Sequence, residues 1–372
     1  MTLPALTSTP QLPFKTSIGP RSARIAFVGE AWGAKEDLFR APFVGTSGTE
    51  LARMIGDAGL TPRLTSAWLS EPSMIAHWHA SGLFLTNTFA ERPPGNKLID
   101  NWCVGKIEAG ADYPLPFIEP GKYIRKEFLH HLDRLYEELT TLRPNLVVAL
   151  GNVACWALLG RSRISSIRGT VTWSERLNLK VLPTYHPASV VRNWAQRPIV
   201  VADLMKAKRE MEFPEIRRPE REVLVSPTLP EIKDWMTRSA PAYAVDIETT
   251  HQQITMVGFA RSRRDALVIP FFDRETFENY WPTVGEEVEA WNCVRALLAR
   301  PEPKIFQNGL YDLSYLVRMG FRPVNCLHDT MLLHHSLFPE MPKGLAFMGS
   351  IYTNEAAWKL MRQRDDMNKR EE

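Results

Sequence analysis

Three side chains stand out for what they could do to a flat heterocycle. Phe43 could stack on its face, Asn87 offers its edge a donor and an acceptor, and His186 could hydrogen-bond an oxygen gathering negative charge. Asn87 and His186 follow short apolar runs at 83–86 and 180–184, and the loop 30–43 that ends at Phe43 follows a third run at 25–28. In a parallel sheet such C-terminal ends share one edge, so residues distant in sequence meet in one crevice. Taken singly, a core histidine at 186 and a structural amide at 87 are the commoner explanations. A second set is built of acids. Asp246 and Glu248, two residues apart, share one side of a strand end and can hold a hard cation. Asn308 and Asp312 stand at helical i, i+4 spacing, and His328-Asp329-Thr330 opens a further helix. A bare Asp-x-Glu is most often a solvated turn.

The elements that must carry these groups alternate. After the strand at 25–28, Gly29-Glu30-Ala31-Trp32-Gly33 breaks the apolar run, and Gly29 lets backbone approach a ligand closely. Glu36 and Asp37 follow, then a helix-like run from Thr49 with Leu51, Met54 and Ile55 apolar. A strand at 83–88 precedes the sharp turn Arg92-Pro93-Pro94-Gly95-Asn96, and residues 97–121 form an excursion. The periodicity over 123–142 predicts one amphipathic helix, with Phe128, Leu132, Leu135 and Leu139 on its buried face. A strand at 145–151 enters a helix at 152–159, and a strand at 180–184 is followed by a helix at 199–212. This order predicts a mostly parallel sheet covered on both faces. Residues 213–221, with two prolines and mixed charge, read as a linker. Beyond it lies a second α/β region. Its strands are expected at 223–225, 242–247, 254–260 and 266–269, the last three as a meander, with helices at 229–239, 287–298, 310–319 and 328–337.

The 372 residues favour two domains, and 44% hydrophobic content can bury sizeable cores. A net charge of +3 gives no bulk argument for nucleic acid, so any such surface must be local. No apolar run approaches the roughly 18 residues of a membrane span, so no membrane partner is expected. Residues 1–20 read as a Pro/Thr-rich flexible tail without a signal peptide's pattern. Cys103, Cys155, Cys293 and Cys326 are widely spaced, which favours reduced thiols and a cytoplasmic setting over disulfides or a cysteine zinc site.

The motifs GEAWGAKEDLFRAPFVGTSG, TNTFAERPPGN, PNLVVALGNVACWALLG, Arg168-Gly169 and LPTYHPASVVR, in that order over roughly residues 22–210, resemble the uracil-DNA glycosylase superfamily, its family-4 type above all. The resemblance implies a three-layer α/β sandwich with a parallel sheet over 21–212, and base excision from uracil-containing DNA. It assigns Phe43 and Gly29 to the flipped base, Asn87 to its pairing edge and His186 to the departing anion. Glu30 and Glu36 would position water or wall off thymine's methyl group, in either order. Two positions depart from the family. Glu91 stands where a cluster cysteine usually precedes the RPPGN turn, and residues 1–24 hold no cysteine, so no iron–sulfur cluster is expected. Trp32 replaces a proline and would narrow or occlude the mouth of the pocket.

VDIETT and FQNGLYDLSYL, with the segment from His328, are similar to the DEDD 3′–5′ exonuclease domain of family A DNA polymerases over roughly 221–358. This implies a partial ribonuclease H-like domain at 222–372 and a site for Mg²⁺ or Mn²⁺ at Asp246, Glu248 and Asp312. The family's third motif, a Tyr or His four residues before a last metal-binding Asp, has no counterpart. Asp365 and Asp366 follow Met361 and Arg362, neither a plausible base. The fused pair suits a bacterial or viral repair or replication apparatus. A DNA polymerase chain is then an expected partner, one that would complete the exonuclease in trans. The rival is a non-catalytic DNA-binding or polymerase-tethering module.

Overall fold

The computed structural model describes residues 14–64, 69–273 and 275–355. The chain divides into two compact units, residues 1–217 with 349–372, and residues 218–348. Both are mixed α/β. No helix among the described residues is long and apolar enough to cross a membrane.

In the first unit, strands β1 (Ile25–Ala31) and β2 (Phe84–Phe89) pair in parallel, with Gly29 opposite Asn87. A two-stranded ribbon, β3 (Cys103–Val104) with β4 (Tyr123–Ile124), stands apart from this sheet. β5 (Leu146–Leu150), β6 (Thr172–Ser174) and β7 (Leu179–Thr184) complete the order β2-β1-β5-β7-β6, parallel except for β6. β1, β2, β5 and β7 are buried along nearly their whole length because both faces are covered. Ala26, Val28 and Val147 face one buried cluster, and Ile25, Phe27 and Val148 face the other. The helix Thr46–Asp57 sits on the second face through Leu51, Met54 and Ile55. Each such buried side chain contributes about 1.5–3 kcal/mol.

Three expectations for this unit change. Residues 123–142 do not form one helix. Tyr123–Ile124 pairs with Cys103–Val104, a 3₁₀ turn spans Lys126–Phe128, and the helix proper is His130–Leu142. The apolar face at Leu132, Leu135 and Leu139 is buried as the periodicity requires, but a ladder partner about twenty residues upstream takes the first turn. Residues 14–20 are not a loose tail, since Ile18 bridges Leu85 through two backbone hydrogen bonds of 2.9 and 2.8 Å. The start of the expected linker is also tied down. Buried Lys180 donates to Glu210 and to the carbonyls of Phe213 and Glu215.

The second unit holds β8 (Glu222–Leu224), β9 (Tyr243–Thr250), β10 (Gln253–Ala260), β11 (Asp265–Pro270), β12 (Lys304–Phe306) and β13 (His328–Asp329), ordered β13-β12-β9-β10-β11-β8. β9, β10 and β11 form the expected antiparallel meander, and the outer pairings are parallel. Ile232, Trp235, Val245, Val257, Leu267 and Leu297 share its core. His328 and Asp329 belong to a strand rather than to a helix at 328–337. The helix is Thr330–Leu337, because the Asp329 carboxylate caps it by accepting from the Met331 and Leu332 amides. Asn308 lies outside the helix Leu310–Arg318 at φ 59°, so it does not share a helical face with Asp312. The expectation of one second domain over 222–372 also changes, because residues 349–355 group with the first unit. There the Lys206 ammonium donates to the carbonyls of Gly169, Ser350 and Thr353. Asp365 and Asp366 lie outside the described residues.

Candidate functional site

A cavity of about 310 Å³ opens at the C-terminal edge of the first sheet, lined by Glu30, Trp32, Glu36, Phe43, Asn87 and His186 among others. Strands β1, β2 and β7 end there, which is why residues 156 positions apart converge. All five polar and aromatic groups singled out in the first unit therefore share one wall system, together with Gly29 behind it.

Phe43 is buried and held at φ 56°, a left-handed backbone that costs a non-glycine residue about 1–2 kcal/mol. Its carbonyl accepts from the Trp78 indole at 2.9 Å, which helps to hold that turn. The ring lies against Gly29, where a Cβ would stand 2.6 Å from Phe43 Cζ and 2.9 Å from Asn87 Oδ1. Glycine is required there by this close approach. The Phe43 and His186 rings face each other across 6.4 Å at an interplanar angle of 30°.

Asn87 is buried, and its Oδ1 has no hydrogen-bond partner. A buried acceptor left alone is costly, so the cavity presents an unmet demand for an N–H donor. The backbone behind it is rigid. Arg134, on the helix His130–Leu142, donates to the carbonyls of Asn87 and Thr88 and to the Glu138 carboxylate. Arg134 is a positioning residue that sequence reasoning missed, since an arginine on an amphipathic helix reads as solvent-facing.

His186 caps the helix Pro187–Arg192, its Nδ1 accepting from the Ala188 amide at 3.1 Å. An accepting Nδ1 carries no proton, so the proton sits on Nε2 and that nitrogen is a donor. Burial, with Arg192 nearby, lowers its pKa to about 4, so the ring is neutral at physiological pH. Gly151, at φ 85°, lets the helix Gly151–Leu159 begin against this ring: a Cβ would stand 2.9 Å from His186 Cβ.

The two glutamates differ. The Glu36 carboxylate accepts from the amides of Gly33, Val44 and Gly45 at 3.2, 3.1 and 2.9 Å, so it ties the loop around Phe43 together. Glu30 makes no such set. Burial raises its carboxyl above the usual glutamate range, opposed by Arg192 and reinforced by Glu119. Trp32 lines the cavity, its ring at 2% exposure with the Arg40 guanidinium 5.6 Å from the ring centre. Arg192 and Asn96 also line the cavity; both were inside the motifs, but neither type signals a role by itself.

The family model for the uracil DNA glycosylase superfamily matches residues 16–211. The chain belongs to that superfamily. Its relatives include type-4 uracil-DNA glycosylases. That of Archaeoglobus fulgidus is 29% identical over 181 residues, covering 47% of this chain and 70% of that protein. Those of Saccharolobus solfataricus and Thermotoga maritima are each 26% identical, covering 52% and 51% of this chain and 74% and 79% of theirs. Among solved structures, Escherichia coli RNase D aligns over 37% of this chain and 34% of that one, at 16% identity and a TM-score of 0.25. A likeness that slight carries no weight for the second unit.

In that unit, Asp246 and Glu248 lie on β9, and the buried Asp312 on the helix Leu310–Arg318. Asp312 Oδ1 accepts from the Ile247 amide, between the two acids, at 3.0 Å. Burial pushes its carboxyl up to about 6; the Ile247 bond opposes the rise, and Asp246 and Asp329 add to it. Asp329 is not available as a ligand in the same way, since four backbone amides (Asn308, Gly309, Met331 and Leu332) converge on its carboxylate.

Proposed function

We propose that the chain hydrolyses the N-glycosidic bond of deoxyuridine in DNA, with the base flipped into the first unit's cavity. The observation that carries this is the buried, unpartnered Asn87 Oδ1 beside an imidazole whose free donor is Nε2–H. Uracil supplies what Asn87 lacks, an N3–H flanked by a carbonyl for the amide's own N–H₂. Phe43 covers the ring face. When the C1′–N1 bond breaks, its electron pair moves into the base, and the His186 Nε2–H hydrogen-bonds the resulting oxyanion. Water adds to C1′ from the other side and gives up its proton to Glu30, whose raised pKa suits a general base. Glu36 accepts from three backbone amides and acts by holding the loop. Extruding the base costs a few kcal/mol, least at a U·G mismatch or in a single strand.

The family-4 resemblance brings with it the question of an iron–sulfur cluster, and the donor set does not fit one. The first unit's only cysteines, Cys103 and Cys155, are both buried, and Glu91 precedes the RPPGN turn. Burial raises both thiols, and two thiols fall short of the four thiolates such a cluster takes. The mechanism above uses no such group. For residues 218–348, an exonuclease-like fold with a weak Mg²⁺ or Mn²⁺ site is supported by Asp312 Oδ1 accepting from the Ile247 amide between Asp246 and Glu248, although the three carboxylates do not close to within 4.8 Å of one another.

The test is the full chain with an oligonucleotide carrying one uracil, in chelator. Free uracil and one alkali-labile site per strand are expected. Tight DNA binding without release of the base would instead mark a non-catalytic binding module.

A further inference from the structure

A second constellation lies outside the cavity, where β2 leads into the Pro-Pro turn. Glu91, His130 and His131 bring one ligand atom each to within 4.8 Å of one another, as no other group of three such side chains does among the described residues. His131 is wholly buried, yet neither of its ring nitrogens has a hydrogen-bond partner. Its orientation is not accidental. The ring lies near-parallel to Trp102, with centroids 6.2 Å apart, and edge-on to Phe89 at 5.7 Å.

The geometry suits a shared ion better than a direct contact. His131 Nε2 stands 3.8 Å from Glu91 Oε2, too far for a hydrogen bond. It is close to the ~3.3 Å that separates two ligands on a tetrahedral ion with bonds of about 2.0–2.1 Å. His130 Nδ1 lies 2.7 Å from the Glu127 carbonyl, which can only accept, so Nδ1 carries the proton and Nε2 is left with the lone pair. Glu91 is about half exposed, which leaves an entry path and room for a water as fourth ligand.

We propose that Glu91, His130 and His131 hold one borderline divalent transition-metal ion, Zn²⁺ or an ion of similar preference. Two imidazoles and a carboxylate are the donor set such ions take, and one that Mg²⁺ and Ca²⁺ do not favour. The ion ties the end of β2 to the first turn of the helix His130–Leu142. Arg134, one turn along that helix, grips the carbonyl of Asn87. The site is therefore structural, and it does not depend on the uracil reading.

The experiment uses the full chain stripped with chelator and titrated with Co²⁺ and Zn²⁺. An Asp246→Asn, Asp312→Asn background removes two of the three carboxylates of the candidate Mg²⁺ or Mn²⁺ site in the second unit. One ion per chain is expected by elemental analysis, with a visible Co²⁺ d–d band that Zn²⁺ displaces and a raised melting temperature. Glu91→Gln and His130→Gln, at exposed and part-exposed positions, should each weaken binding at least about tenfold, since even outer-shell changes cost that much. His131→Gln should abolish it. Absence of a bound ion in molar excess overturns the proposal. So does stoichiometric binding that survives the Glu91→Gln, His130→Gln pair, which does not depend on the buried variant folding.

Discussion

Replacing His186 separates its two tasks. The neutral ring offers Nε2–H to the leaving base, and its Nδ1 accepts the Ala188 amide as a helix cap. Loss of one preorganised donor to a developing anion slows the chemical step by about 10²–10³, or roughly 3–4 kcal/mol. Loss of the cap costs about 1 kcal/mol of stability, a fall of about 2–4 °C in Tm for a domain of this size. His186→Ala should show both effects. His186→Asn restores a capping side chain but is too short to serve the base, so it should melt near the wild type and remain slow. Single-turnover uracil release, with thermal melts on the same samples, reads the two terms. A His186→Ala rate within tenfold of the wild type, less than about 1.4 kcal/mol, would refute the assignment. So would an Asn variant that recovers activity together with stability.

Asn87→Asp replaces the amide's donor with an acceptor, so discrimination between uracil and cytosine should shift by about 1–3 kcal/mol towards cytosine; unchanged selectivity removes Asn87 as the reader. Glu36→Ala should cost at least about 2 kcal/mol in denaturant melts, because three backbone amides lose a charged acceptor. Glu30→Gln should leave stability near the wild type and slow the chemical step. In pH profiles, kcat/KM should fall on the acid side with an apparent pKa above the usual glutamate value of 4.5, as the raised Glu30 takes its proton. No inflection near 6.5 should remain in the Glu30→Gln variant, because His186 stays neutral down to about 4; one that persists there would mean a protonated imidazole does the work. The full chain should bind Mn²⁺ weakly through Asp246, Glu248 and Asp312 and hold single-stranded 3′ ends with little digestion. Robust Mg²⁺-dependent digestion, abolished by Asp246→Ala, would show a complete nuclease site.

Much of the cavity was legible because strand ends in a parallel sheet share an edge. Apolar runs ahead of the 30–43 loop, Asn87 and His186 were enough to bring those residues together. What the sequence hid were partnerships between distant backbone and side-chain atoms. Glu36 and Glu30 look alike in sequence, and only the three amides around Glu36 tell the loop clasp from the proposed base. The 123–142 periodicity was real, but β3 claimed its first turn. Asp329 was legible as a helix start and illegible as the clasp on Asn308 and Gly309. The Glu91 substitution was visible as a missing cysteine. That two histidines forty residues later face it could be learned only from the fold.

The most direct measurement is a crystal structure of His186→Asn with an oligonucleotide carrying one uracil. The account predicts an extrahelical base in the first unit's cavity, its face on Phe43 and its N3 about 2.9 Å from Asn87 Oδ1. A base left stacked in the duplex, with Asn87 Oδ1 bonded only to water, would contradict it.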